Sequence, residues 1–196
     1  MKTNKSRVSS GTYKGMSIYY PEVEGTRPTK NIVKESAINT LRTELPYHVF
    51  VEVFAGSGSV GIEALSNGSQ WAYFLEKEKE PARVLQSNLR SLKCENYEII
   101  QGDSFDTIKK VVRELVERNE QAIFYLDPPF SIREGQEDVY DKTFALIADL
   151  PAQIAPIVVI EHLSSYRFEE KIGSFKQEKT KRFGKTSLTY YHPDME

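Results

Sequence analysis

The chain has 196 residues, 39% hydrophobic and 28% charged, a balance that describes one soluble domain with a substantial core and excludes a disordered or fibrous chain. No run approaches the ~18 apolar residues of a membrane span, and the first ten residues lack the apolar centre of a secretory signal, so the expected location is the cytoplasm. A net charge of -2 excludes a protein that coats nucleic acid unselectively; one cysteine, Cys94, excludes an internal disulfide, and with His48, His162 and His192 it matches no zinc spacing, so no metal is expected.

Residues 1–46 are expected to form an N-terminal extension. It comprises a small hairpin, from Gly11-Thr-Tyr-Lys-Gly15 and Ile18-Tyr-Tyr20, then Arg27-Pro-Thr29 and a covering helix from about Lys30 to Leu45. Residues 47–196 are expected to form the main domain. There, His48 to Phe54 is β-branched and aromatic, too short for a helix, and ends in a glycine-rich turn, so it reads as a buried strand. Further strands are predicted at Trp71 to Glu76, Tyr97 to Gln101, Ala122 to Asp127 and Pro156 to Glu161. Between them, Gly61 to Ser66, Pro81 to Lys93, Ser104 to Asn119 and Tyr140 to Leu150 carry helical spacing, as in Ile108, Val111, Val112 and Leu115. This alternation predicts an α/β fold, a mostly parallel sheet with helices on both faces. Phe175 to Arg182 and Thr186 to His192, separated by Phe183-Gly-Lys185, read as an antiparallel hairpin completing the sheet. The polar stretch Ser131 to Asp138, containing Gly135, is the expected mobile loop.

Gly56-Ser-Gly58-Ser-Val-Gly61 follows a predicted strand and opens a predicted helix, the context in which glycines let a ligand approach the backbone. About twenty residues on, Glu76 ends the next strand, where a carboxylate accepts from both hydroxyls of a ribose. A nucleoside-containing cofactor follows. Glu52, just before the turn, would repel a pyrophosphate but suits the ammonium and sulfonium of S-adenosylmethionine, unless it faces a buried partner. At the end of the third strand, Asp103 can accept from an adenine amino group and Ser104 can start the next helix; helix capping is an equal alternative for this pair.

The most informative residues are Asp127-Pro-Pro-Phe130, directly after an apolar strand. Two prolines remove backbone donors and fix φ, so the turn presents carbonyls in a rigid arrangement. An exocyclic base amine is a poor nucleophile whose two hydrogens need acceptors. Asp127 and the Pro128 carbonyl can take those hydrogens and aim the lone pair, Pro129 stiffens the turn, and Phe130 can stack on the base. A nicotinamide-dependent oxidoreductase would explain the glycine turn and Glu76 but leave this motif without a role, and an inactive RNA-binding module would not be expected to keep every member of the pocket.

The stretch Val51-Glu-Val-Phe-Ala-Gly-Ser-Gly-Ser-Val-Gly-Ile-Glu-Ala-Leu65, together with Asp127-Pro-Pro-Phe130, resembles the RsmD family of ribosomal RNA guanine-N2 methyltransferases. Gly11 to Gly15, Arg27-Pro-Thr29, Glu76 and Gly184 agree, so the resemblance runs over nearly the whole chain. It implies a class I, Rossmann-like methyltransferase fold with a seven-stranded sheet. The implied donor is S-adenosylmethionine and the implied acceptor N2 of a guanine in small-subunit ribosomal RNA, within a partly assembled particle. By position, Phe54, Gly56 and Gly58 would line the cofactor, Glu76 its ribose and Asp103 its adenine, with Thr29 closing over the methionine end. Asp127 to Phe130 would hold the guanine. The pocket motif alone leaves adenine N6, in RNA or DNA, and cytosine N4 open. The run Lys30-Asn-Ile-Val-Lys-Glu35 and the acid Glu52 depart from the family pattern, where acid then base follows Arg-Pro-Thr and Asp is usual. Both chain ends are locally basic: Arg7, Lys14, Arg27, Lys30 and Lys34 on one side, and Lys181, Arg182 and Lys185 on the other, are expected to contact phosphates around an extruded base. A monomer is expected.

Overall fold

The computed structural model describes residues 4–21, 28–129 and 139–195, with backbone alone for residues 28–30. Arg27, Phe130 and the expected mobile loop Ser131 to Asp138 lie outside the described residues, as do the side chains of Thr29 and Lys30.

The elements in chain order are β1 (Lys5–Arg7), β2 (Ser17–Tyr19), α1 (Pro28–Leu41), β3 (Val49–Glu52), α2 (Ser59–Ser66), β4 (Ala72–Glu76), α3 (Lys79–Ser91), β5 (Tyr97–Gln101), α4 (Ser104–Arg118), β6 (Ala122–Leu126), α5 (Val139–Ala148), β7 (Ile157–Leu163), β8 (Lys171–Ile172), β9 (Phe175–Phe183) and β10 (Thr186–Pro193). β1 and β2 form a separate antiparallel pair; the other eight strands form one sheet in the order β5, β4, β3, β6, β7, β10, β9, β8. The first five of these are parallel and the last three antiparallel. This is the expected α/β architecture with one strand more than the seven implied. The extra one, β8, is two residues long and pairs only through Lys171 with Lys176 and Ile172 with Phe175, too short to leave a periodic signal.

Alternation along the strands divides the core in two. Phe50, Ile123, Tyr125, Val159, Leu188 and Tyr190 face α1, α2, α3 and the β1–β2 pair. Val51, Phe124, Leu126, Val158, Ile160 and Tyr191 face α4 and α5. Val8 and Ile18 of the hairpin and Val33, Ala37, Ile38 and Leu41 of α1 belong to the first cluster, so the N-terminal extension shares the core of the sheet. α1 starts at Pro28, where a missing N–H costs nothing, and stops at Leu41, before the predicted Leu45. The next turn, Leu45–Tyr47, is a 3-10 helix around Pro46, which cannot continue an α-helix.

β3 and β6 are sequence-distant neighbours from which the chain departs in opposite directions. Such a switch point opens a crevice at the carboxyl ends of the strands, where Glu52, Glu76, Gln101 and Asp127 all stand. β10 runs antiparallel to β7, pairing Thr186 with Leu163, so the Gly184 tip of the β9–β10 hairpin reaches the same end. No helix among the described residues is long and apolar enough to cross a membrane.

Candidate functional site

The glycine turn leaves β3 and enters α2 with Gly56 and Gly58 in the left-handed region, at φ of 53° and 75°. Gly58 and Gly61 also serve close packing. A Cβ on Gly58 would lie 2.2 Å from Leu85 Cδ1, and one on Gly61 2.3 Å from Phe74 Cε1. The turn is tied to the neighbouring strand by Glu76, whose carboxylate accepts from Gly56 N–H at 2.6 Å and Glu78 N–H at 2.7 Å. Glu76 is thus fixed at the end of β4 with its oxygens against the turn, the location assigned to a ribose partner.

Glu52 is placed differently from the first expectation. It is buried, and its two oxygens accept from Gly61 N–H at 2.9 Å and Val60 N–H at 3.3 Å, capping the first turn of α2. Burial pushes its carboxyl up to about 8, with the Asp127 charge adding to this and the two N–H donors and Lys34 opposing it. Near neutral pH the group is therefore mostly protonated, and a cation in the crevice favours its ionised form.

Asp103 caps α4 by accepting from Phe105 N–H at 3.1 Å and pairs with Lys77 at 3.1 Å. Burial works against its charge, but the Lys77 hydrogen bond and the Phe105 N–H outweigh it and hold the carboxyl below its ordinary value. The capping contact is thus present and uses Oδ1, while Oδ2 pairs with Lys77. Ser104 is buried as the first residue of α4, and Phe54 packs edge-on against Phe105 with centroids 5.5 Å apart.

Across the switch point, Asp127 follows β6, with Pro128 buried and Pro129 exposed. Two groups beneath it were missed in the sequence. Leu126 pairs with Ile160, which puts Asp127 level with Glu161 of β7, and buried Glu161 accepts from Tyr125 Oη at 2.8 Å. Burial, then the charges of Glu161 and Asp127, push the Tyr125 hydroxyl far up, so it stays a donor. An acid ending the apolar run Ile157-Val-Val-Ile-Glu161, as Glu52 and Asp127 end theirs, was the available signal. Tyr140 is the second; its hydroxyl accepts from Leu163 N–H at 3.2 Å.

Two of the expected phosphate-binding lysines stand elsewhere. Lys34 is 4% exposed, and its ammonium lies 3.1 Å from Glu63 of α2, itself fully buried. Glu63 also accepts from Ser9 N–H at 2.8 Å and Ser9 Oγ at 2.9 Å, so the pair joins α1, α2 and the N-terminal hairpin. Lys34 is a structural strut, because an ammonium cannot be buried without such a partner. Lys14 lies in the turn between β1 and β2, beside Thr12 and Tyr13, whose N–H groups bond Ser66 at the carboxyl end of α2. That end is removed from the glycine turn by the ~12 Å length of an eight-residue helix. Arg7 is exposed on β1. Lys181 reaches Thr40 of α1 at 2.8 Å, whereas Arg182 and Lys185 are exposed at the hairpin tip, at the Asp127 end.

The donor set of the crevice decides which cofactor class fits. Glu52 and Glu76 both accept from N–H groups of the glycine turn, and the Asp127 charge reaches Glu52 from the end of β6, while the nearby cations Lys34 and Lys77 are engaged by Glu63 and Asp103. A negative field disfavours a pyrophosphate and suits a cationic ligand such as a sulfonium with an ammonium group. Among the described residues, no group of three His, Cys, Asp or Glu is placed to hold a metal ion.

The fold and sequence have relatives. The H. influenzae ribosomal RNA small subunit methyltransferase D is 34% identical over 135 residues, covering 68% of each chain. The Escherichia coli K12 protein of the same name is 28% identical over 143 residues, 73% of this chain and 67% of the relative. Among solved structures, yhhF from Escherichia coli superposes with a TM-score of 0.75 at 22% identity, covering 98% of this chain and 99% of the other. M. jannaschii TYW2, solved in complex with AdoMet, superposes at 0.58 with 14% identity, covering 99% and 89%. The family described as conserved hypothetical protein 95 matches residues 6–192, and the chain belongs to that family, whose curated relatives include ribosomal RNA small subunit methyltransferase D.

Proposed function

We propose that this protein transfers a methyl group from S-adenosylmethionine to the exocyclic N2 amine of a guanine in small-subunit ribosomal RNA. The observation that carries the reading is the arrangement at the switch point: the carboxylate-lined glycine turn faces Asp127-Pro-Pro across two adjacent strands. The names of the 34% and 28% identical relatives support the RNA substrate. The bound cofactor supplies an electrophilic methyl on a sulfonium.

Glu76 holds the ribose while Gly56 and Gly58 let the cofactor approach the backbone. Glu52, ionising as the cation binds, lowers its free energy from behind the glycine turn. Asp127 and the Pro128 carbonyl accept the two amine hydrogens and turn the nitrogen lone pair toward the methyl, while Phe130 stacks on the extruded base. In-line transfer of this kind depends on orientation more than on acid or base catalysis. Arg182 and Lys185 meet phosphates at the rim, joined by Arg7, Arg27 and Lys30; Lys14 and Lys34 have no part in this.

The test is transfer of labelled methyl from S-adenosylmethionine to small ribosomal subunits from cells lacking this protein. Label is expected in small-subunit RNA, and equal or greater transfer to DNA or large-subunit RNA would contradict the reading.

A further inference from the structure

Beside Asp127 lies an aromatic cluster that methyl transfer does not use. Tyr140 and Phe144 of α5 interlock with Tyr166 and Phe168 of the connection from β7 to β8. Ring centroids are 4.4 Å apart for Tyr140 and Tyr166, 5.1 Å for Tyr166 and Phe168, and 4.7 Å for Phe144 and Phe168. Tyr140 and Phe168 are buried, but Tyr166 is half-buried. Its ring lines an open groove of about 430 Å³ between α5 and residues 166–173, with Phe144 and Ala148 in the wall and exposed Arg167 at the edge. A half-exposed ring fixed by three others is a preorganised stacking surface, which loses little side-chain entropy on binding.

The groove adjoins the substrate side of the crevice. Tyr140 bonds the Leu163 backbone at the end of β7, and burial followed by the Asp127 charge pushes its hydroxyl up. Ser164 N–H donates to Lys185 carbonyl at 2.9 Å, and Ser164 Oγ meets Ser187 Oγ at 2.8 Å, so the Tyr166 connection is bound to the cationic hairpin tip. Asp141 and Glu169 also line the groove. Two cations line it as well, Arg167 at the edge and Lys171, which pairs with Asp194 at 2.7 Å; the carboxylates offer acceptors to a base, while Arg167 and, at the hairpin tip, Lys185 and Arg182 offer cations to a phosphate. The groove thus offers a ring and acceptors to the base of a nucleotide and cations to its phosphate.

We infer that this groove binds a second, unpaired nucleotide of the RNA, stacked on Tyr166 next to the base being methylated. The inference rests on the RNA-methylating reading and extends it to recognition of a single-stranded segment around the target. Tyr166 and Arg167 are binding residues in this assignment and have no contact with the reacting atoms.

The experiment is titration of the full chain with a short, end-labelled, single-stranded RNA oligonucleotide, followed by fluorescence anisotropy. Tyr166→Leu is expected to weaken binding about tenfold, the scale of one lost stacking contact. Tyr166→Phe, which keeps the ring, is expected to bind within about twofold of the parent, and Arg167→Gln to reduce the salt slope by about one. Unchanged S-adenosylmethionine affinity in each variant establishes that the fold is intact. Parental affinity in Tyr166→Leu, or equal weakening in Tyr166→Phe, would overturn the groove assignment. If Tyr166→Leu is weakened but the parent methylates no RNA, the groove stands and the reaction reading fails. If the parent methylates small-subunit RNA and Tyr166→Leu binds normally, the reverse holds.

Discussion

On the β3 and β4 side of the switch point, the polar groups are engaged with the backbone. Glu76 grips the glycine turn, Glu52 caps α2 and Asp103 caps α4. On the β6 and β7 side the materials differ: two prolines that offer carbonyls and no N–H, aromatic rings, and cations exposed at a hairpin tip. The first half is preorganised for a small ligand of fixed shape. The second presents surfaces that a larger, flexible partner completes. On the proposed function, the difference teaches that cofactor and substrate affinity belong to separate residue sets, which substitutions are expected to separate.

The strut that joins α1, α2 and the N-terminal hairpin gives the largest expected effect. Lys34→Met leaves Glu63 buried without its cation, and is expected to cost about 3–5 kcal/mol in urea unfolding. The double variant Lys34→Met with Glu63→Leu should recover most of that loss, because the desolvation of both charges is removed together. A single variant as stable as the parent would show that the pair carries no structural load.

Next in size is Asp127→Ala, which removes an acceptor needed only to orient the reacting amine. It is expected to lower kcat about 10²–10³-fold while leaving the S-adenosylmethionine Kd unchanged in calorimetry. Equal losses in both quantities would erase the division between the halves.

A smaller effect concerns pH. Because its folded value lies above the ordinary 4.5, Glu52 contributes stability below about 4.5 that is lost as pH rises through about 8. A bound cation favours the ionised form, so S-adenosylmethionine affinity is expected to rise with pH up to about 8, by at most about tenfold per pH unit. In Glu52→Gln that dependence should flatten; a persistent slope would assign it to another group.

The smallest effect is at the rim. Arg182→Ala with Lys185→Ala should raise the RNA KM several-fold and reduce the salt slope by about two, whereas Lys14→Ala should change neither. A Lys14 effect equal to the double variant's would refute the placement of the hairpin turn at the far end of α2.

Much of this was legible in the chain. Short apolar runs such as Ala122 to Leu126 and amphipathic ones such as Ser104 to Arg118 located the strands and helices, and Gly56, Gly58, Glu76 and Asp127 located the crevice. What was not legible depends on tertiary pairing. Nothing local distinguishes Lys34, inside the core, from a solvated lysine on a polar helix; its state is set by Glu63, which belongs to another element. Lys14 follows the docking of its turn on Ser66, a contact across 53 residues between Tyr13 and Ser66. Glu52 and Asp103 had two readings each; the contacts that face them, the N–H groups of α2 for Glu52 and the N–H of Phe105 for Asp103, come from the helices that follow.

The most direct test of the central claim is mass spectrometry of nucleosides from small-subunit RNA methylated by the purified protein. The account predicts N2-methylguanosine, absent with Asp127→Ala. N6-methyladenosine or a ring-methylated base in its place would contradict it.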